Sequence, residues 1–308
     1  MTTLALRSSL LVLAFWSGTA RAHAGYAEEL ALAQSVAREA GALVNRYRGK
    51  VDTEHKDGGE VVTRADRESS ALIVGKLRER YPKDLFITEE DKANWSKLPL
   101  ARRVWFIDPI DGTADYIAGH DGYAVQIGLV EKLPFFGKGK VKVGVVYQPA
   151  LDRMMFASPA TGARMIEAGR ETSLRVSSRR QLSNLRLIVS NSKRTPGTDA
   201  LKKALGIGDE VPMGSIGVKV GFLARAEHDL TFKDNSKAKV WDIAGPQAII
   251  EAAGGRFTTL TGQPFNYQRI ATSGGILATN GLVHDAVVRT AAPIIRSLAR
   301  SNAVPAKK

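Results

Sequence analysis

Between Glu28 and Tyr47 the apolar residues Leu30, Ala33, Val36, Ala37, Ala40, Leu43 and Val44 recur at steps of three and four, which predicts an amphipathic helix with one buried stripe. A second helix opens at Asp66 and carries Ala71, Leu72, Val74 and Leu77 to a stop at Tyr81-Pro82. Between the two, Lys56-Asp57-Gly58-Gly59 reads as a turn and Val61-Val62-Thr63 as a short extended piece. The period then changes. Apolar runs and alternations at 85–87, 104–107, 123–130, 141–148 and 153–157 predict strands, with 134–140 a hairpin excursion between two of them. The second half begins near Gly169, with short strands at 174–176 and 187–189 and helices at 217–226 and 242–253. A strand at 255–260 follows, then a closing strand and helix beyond Gly275. Helices and strands mixed without strict βαβ alternation predict a layered α+β fold.

A chain of 308 residues, 44% hydrophobic and 24% charged, has the balance of a globular protein with a large core. The elements divide into an N-terminal α+β unit over 25–165 and a C-terminal α/β unit over 166–308. Residues 1–24 stand apart: Arg7 precedes an apolar stretch from Leu10 to Trp16, and Ala22-His23-Ala24 gives an A-x-A pattern. This reads as a cleavable signal for export to the periplasm or beyond, too short to span a bilayer; an uncleaved start would leave the protein cytoplasmic.

Cysteine is absent, so disulfides, thiolate metal sites and cysteine nucleophiles are excluded, and the five histidines show no metal-ligand spacing. The net charge of +13 attracts nucleic acid, an anionic membrane surface or a small polyanion alike. No nucleic-acid-reading motif is present, and the cations are spread out apart from clusters such as Lys138-Gly139-Lys140-Val141-Lys142. Direct nucleic-acid binding is therefore not expected, and composition does not choose between the other two.

The chemistry concentrates in Asp108-Pro109-Ile110-Asp111-Gly112-Thr113 at the end of an apolar strand. Two carboxylates three residues apart on a tight turn can converge on one hard cation together with the Ile110 carbonyl, as Mg²⁺ prefers. Pro109 stiffens the turn, Gly112 lets the backbone approach a ligand, and Thr113 opens a short helix whose free N–H groups suit a phosphate. Asp115 reads as a first-turn acid favoured by the helix dipole.

The run from Trp105 to Thr113 resembles the W-x-x-D-P-[IL]-D-G-T signature of the inositol monophosphatase superfamily. Val61-Val62-Thr63-Arg64-Ala65-Asp66 is similar to its V-T-x-x-D, Glu89-Glu90 to its E-E pair, and Gly214-Ser215-Ile216-Gly217-Val218-Lys219 to its G-S-x-G-x-K. Trp241-Asp242-Ile243-Ala244 with Ala253-Gly254-Gly255 resembles W-D-x-A…E-A-G-G, except that Ala252 stands where the acid of the last motif is expected. The resemblance implies a layered α/β/α/β/α sandwich of the inositol monophosphatase and fructose-1,6-bisphosphatase type, commonly dimeric, and a Mg²⁺-dependent phosphomonoesterase. It places Glu89, Asp108 and the Ile110 carbonyl on one Mg²⁺, and Asp108, Asp111 and Asp242 on a second, with a third ion allowed. By the same resemblance the attacking water is expected on the metal at Glu89, positioned by Thr113, itself oriented by Asp66, with Gly112 and Thr113 binding the phosphate. Gly214, Ser215 and Lys219 are expected to contact the substrate.

For the leaving group, the acid expected seven residues before Asp242 in inositol monophosphatases is Asn235, and Asn235-Ser236-Lys237-Ala238-Lys239 resembles instead the lysine-containing approach of 3′(2′),5′-bisphosphate nucleotidases. Lys237 and Lys239 are then expected to neutralise a second phosphate, which favours adenosine 3′,5′-bisphosphate over inositol 1-phosphate and sugar or histidinol phosphates. A protein that binds a phospholigand or nucleic acid without turnover is the other class; the retained acids argue against it.

Overall fold

The computed structural model describes residues 25–50, 53–55, 61–191, 194–234 and 238–303; residues 1–24, read as an export signal, the turn read at 56–59, Asn235 and Lys237 lie outside them. Helix α1 (Ala27–Tyr47) buries the stripe read from the sequence. A two-stranded ladder, β1 (Thr53–His55) with β2 (Val61–Thr63), leads into α2 (Arg64–Arg80). That helix starts on a capping box: the Thr63 hydroxyl accepts from the Asp66 N–H at 3.3 Å, and the Asp66 carboxylate takes the Thr63 N–H at 2.8 Å.

The main sheet has seven strands in chain order, β3 (Leu85–Thr88), β4 (Arg103–Asp111), β5 (Ala124–Leu133), β6 (Phe136–Gln148), β7 (Arg153–Ser158), β8 (Gly162–Glu167) and β9 (Arg170–Ser173). Only the β3–β4 pair is parallel. Period-two alternation sends Trp105, Ile107, Val125 and Ile127 to the face covered by α1 and α2, and Val104, Phe106, Ala124 and Val146 to the other. That second face is covered by α5 (Ile216–Ala224) and α6 (Val240–Ala252). Helix α6 lies close on the sheet because glycines face it: a Cβ on Gly144 would stand 2.3 Å from the Gly245 carbonyl oxygen.

A second sheet, in the order β11-β10-β12-β14-β13, stacks beyond these helices. It comprises β10 (Leu187–Ser190), β11 (Glu210–Met213), β12 (Leu230–Lys233), β13 (Arg256–Thr258) and β14 (Ile276–Thr279). Its outer face packs on α4 (Pro196–Leu205) and α7 (His284–Ala303) through Leu187, Phe232, Leu201 and Val287. The layers are therefore α/β/α/β/α, as expected. Among the described residues no helix is long and apolar enough to cross a membrane.

Several local expectations change: of the excursion read over 134–140 only Pro134 and Phe135 stand outside strands, and the strand read over 255–260 is limited to Arg256–Thr258. Residues 174–176 form no strand: Leu174 and Val176 each tether the connector by one backbone bond, to the carbonyls of Ala163 at 2.9 Å and Ala253 at 3.1 Å, so their alternation reflects packing without a ladder. Strand β4 also runs further than read, through Asp111, with an irregularity between Asp108 and Asp111. Such bulges re-aim side chains at a sheet end.

Candidate active site

Asp108 is 2% exposed, and its Oδ1 accepts the Ile110 N–H at 3.0 Å, closing the turn that Pro109 stiffens. Gly112 adopts φ +96°, and a Cβ there would also stand 2.8 Å from the Gly122 carbonyl oxygen, so only glycine fits. It leads into α3 (Thr113–Ile117), where the Thr113 hydroxyl donates to the Ile110 carbonyl at 3.1 Å. Glu89 follows β3 directly, its N–H bonded to the Ile107 carbonyl at 3.3 Å, which continues the β3–β4 pairing and sets Glu89 beside Asp108. Asp242 sits in the first turn of α6 and takes the Lys239 N–H at 2.8 Å. Asp111 Oδ2 accepts from the Ser215 hydroxyl at 2.5 Å, the Gly217 N–H at 2.9 Å and the Gln126 amide. Those donors fix one oxygen of the carboxylate in place.

These acids feel one another. Burial pushes Asp108 well above the usual carboxylate range, and Glu89, Asp111, Asp242 and Asp66 push it further. Asp242 is likewise raised well, by burial first and then by Asp111 and Glu89, while the Lys239 N–H and a hydrogen bond with Asp108 work the other way. Asp111 is raised by burial, opposed by its bonds from Ser215 and Gly217 and by the charge of Lys219. Among the described residues no three acids already form a metal cage. A buried cluster of carboxylates without nitrogen or sulfur donors nonetheless has the chemistry of a hard divalent-cation site, because a cation relieves the repulsion and takes oxygen.

Glu89, Asp111 and Asp242 line a cavity of about 410 Å³ together with Gly112, Thr113, Asn191, Gly214, Lys219 and Lys233. Lys219 is 3% exposed; its ammonium donates to the carbonyls of Met213 at 3.1 Å and Gly214 at 2.7 Å. Burial lowers its pKa to about 8. Burial lowers Lys233 as well, against the pull of Asp234 and Asp242.

Of the residues read from the sequence, Glu89, Asp111, Gly112, Thr113, Gly214, Lys219 and Asp242 meet at this cavity, with Asp108 buried among the acids. Ser215 does not line it: its hydroxyl is committed to Asp111 and to capping α5 through the Val218 N–H at 3.0 Å. Lys239 also lies outside the lining and contributes its backbone to Asp242. The Thr113 hydroxyl goes to Ile110 rather than to Asp66, whose carboxylate already takes both the N–H and the hydroxyl of Thr63.

The profile of the inositol monophosphatase family matches residues 26–296. The chain belongs to the inositol monophosphatase family. It is 29% identical over 273 residues to a fructose-1,6-bisphosphatase/inositol-1-monophosphatase of Thermotoga maritima, covering 85% of this chain and 94% of that one. It is also 29% identical over 265 residues to a histidinol-phosphatase of Mycobacterium tuberculosis, covering 85% and 96%. In three dimensions it matches the Thermotoga maritima IMPase with a TM-score of 0.71 at 26% identity, over 88% of this chain and 99% of that structure. Family membership makes the chain a phosphatase of small phosphorylated substrates, and the family's divalent metal, typically Mg²⁺, suits the all-oxygen donor set.

The motifs do not reach several residues that line this cavity or hold its acids. Gln126 lies mid-strand in β5, and Lys233 ends β12. Asp115 is a first-turn acid as read, and it is also buried: it is 5% exposed and accepts from the Gly214 N–H at 3.0 Å and the Asn191 amide at 2.6 Å. A carboxylate two residues beyond Thr113 was the available signal, but nothing local distinguishes a buried clamp from a surface acid.

Proposed function

We propose that this chain is a Mg²⁺-dependent phosphomonoesterase whose substrate carries a second anionic group besides the ester phosphate, adenosine 3′,5′-bisphosphate being the substrate of this kind that the sequence favours. The observation that carries the reading is one cavity lined both by the acids Glu89, Asp111 and Asp242 and by the neighbouring cations Lys219 and Lys233. Glu89, Asp108, Asp111, Asp242 and the Ile110 carbonyl would hold the divalent ions. When bound, Mg²⁺ supplies charge against phosphoryl oxygens and makes water more acidic. The chain's own groups do the rest. The backbone N–H groups of Gly112 and Thr113 bind the phosphate, and the Thr113 hydroxyl, beside the acids, orients the attacking water. Ser215, Gly217 and Gln126 fix Asp111 against rotation. Lys219 and Lys233, which line the cavity, would hold the second anion; Lys237, which the sequence reading gives that role together with Lys239, lies outside the described residues.

A second reading, hydrolysis of a monophosphate such as inositol 1-phosphate, is supported by the names of relatives at 29% identity. Phosphate release from adenosine 3′,5′-bisphosphate, fructose 1,6-bisphosphate, inositol 1-phosphate and histidinol phosphate, by wild type and Lys233→Met, separates the two. Losing one charge-assisted contact of about 1.5–3 kcal/mol should cut kcat/KM roughly ten- to a hundred-fold for a bisphosphate and only a few-fold for a monophosphate. An equal change for all four replaces the second-anion reading with the monophosphate one. No release from any of them, or from p-nitrophenyl phosphate with Mg²⁺, refutes a phosphatase.

A further inference from the structure

The cluster Lys138-Gly139-Lys140-Val141-Lys142 is used by neither the active site nor the core. It lies on the β5–β6 hairpin, where Leu133 pairs with Phe136 and the tip reduces to Pro134 and Phe135. Leu133, Phe135 and Phe136 are 60%, 64% and 73% exposed. Leu100 joins them, 59% exposed, on a turn tied to the hairpin by the Phe135 N–H to the Pro99 carbonyl at 2.9 Å. Half of the large hydrophobic side chains exposed among the described residues therefore gather at one end of the molecule.

The tip is firmly held. Gln268 donates to the Leu133 carbonyl at 2.8 Å, the Lys132 ammonium to Gln268 at 2.7 Å and to the Leu98 carbonyl at 2.6 Å, and the Tyr267 N–H to the Lys138 carbonyl at 2.9 Å. Phe135 is kept at φ +61°, a conformation that aromatic residues rarely adopt. A fixed, strained backbone that displays two phenylalanines to solvent is unfavourable for an isolated fold and points to a use for the exposed rings.

Next to the tip opens a cleft of about 740 Å³ with Arg102, Lys138, Lys140 and Lys142 on its walls. Arg103 in the same cleft is neutralised by Asp84, Glu29 and Glu131. Among the described residues Arg102, Lys138 and Lys140 form no ion pair. The chain's net charge of +13 adds a long-range field of the same sign.

We propose that this hairpin docks the enzyme on an anionic phospholipid surface, with Phe135, Phe136 and the flanking leucines entering the interface and the cations meeting the headgroups. Exposed apolar groups beside free cations match that boundary, which takes both at once. A single-stranded nucleic acid would use ring faces and phosphate contacts but leave Leu100 and Leu133 in water. Strand β5 runs from Ala124, opposite Asp111, to Leu133, so the tip stands roughly 30 Å from the catalytic end at about 3.3 Å per residue. Docking there leaves the cavity open.

The test is co-sedimentation of the full chain with vesicles of phosphatidylcholine alone or with roughly 30 mol % phosphatidylglycerol. Binding is expected to the anionic vesicles only, to be released by salt, and to weaken at least about ten-fold in both Phe135→Ala/Phe136→Ala and Lys138→Glu/Lys140→Glu. Both variants should keep wild-type turnover of p-nitrophenyl phosphate in solution, which shows that they are folded. No binding to anionic vesicles, binding unchanged in the variants, or tighter binding of the same tip to single-stranded RNA would each overturn the proposal.

Discussion

Replacing Asp115 with Asn should unsettle the active site without touching a metal ligand. Each carboxylate oxygen of Asp115 receives one donor, Oδ1 from Asn191 at 2.6 Å and Oδ2 from the Gly214 N–H at 3.0 Å. There is no slack to rearrange, since a Cβ on Gly214 or Gly122 would stand 2.2 Å or 2.3 Å from Oδ2. However the amide turns, its NH₂ faces a donor, so one charge-assisted bond is lost and one buried donor is left unpaired. Those two costs overlap and together come to about 2–4 kcal/mol. With about 2.1 cal/mol/K of unfolding entropy per residue, a chain of 308 residues should lose roughly 3–6 °C in Tm. Gly214 carries Ser215, which holds Asp111, so turnover of p-nitrophenyl phosphate with Mg²⁺ should also fall roughly ten- to a hundred-fold, as displaced catalytic groups do. Thermal unfolding and steady-state kinetics on the same preparation check both. A variant melting within about 1 °C of wild type with turnover within a factor of about two would refute the clamp.

Asp108→Asn should leave less than about a tenth of wild-type turnover at saturating Mg²⁺, because the shared carboxylate of the cluster loses its charge, and excess EDTA should abolish wild-type turnover; activity surviving either treatment contradicts the ligand assignment. His284 gives a pH dependence remote from the site: its ring lies between the Thr258 hydroxyl at 2.8 Å and the Thr279 hydroxyl at 3.0 Å, and burial lowers its pKa to about 4. The fold keeps it neutral while the unfolded chain protonates below about 6.5, so its contribution of roughly 3 kcal/mol is complete above pH 6.5 and is lost as the pH falls to about 4. Urea unfolding should show the advantage of wild type over His284→Asn shrinking by about that amount between pH 7 and 4; a constant gap contradicts the assignment.

The long helices and the strand leading to Asp108 were legible because their burial follows one period over many residues, and the acids were legible because they fall within contiguous motifs. Short elements on the outer sheet were not. Strand β12 is four residues, too few to establish a period, and α4 opens with Pro196-Gly197, which reads as a turn; its usable signal was Thr195, which caps the Thr198 N–H ahead of a proline in the first turn. Lys233 and Asp115 escaped for a different reason. Their roles come from partners far along the chain, and a lysine ending a strand or an acid opening a helix carries no local mark of the cavity it faces.

Gathering several carboxylates at a buried strand end is unfavourable by itself, since burial and mutual repulsion both raise Asp108 and Asp242. The fold resists this with donors drawn from both sheets' surroundings: Gln126 from β5, Ser215 and Gly217 from the start of α5, and the Lys239 N–H ahead of α6. The same loop that supplies Ser215 is pinned by Asp115 from the motif helix and by the Lys219 ammonium. Stability of the packing around Gly214 and geometry of the acids are thus one property. A mutation that loosens Gly214 should lower turnover before it unfolds the chain, because the acids separate as soon as the donors that oppose their repulsion move away.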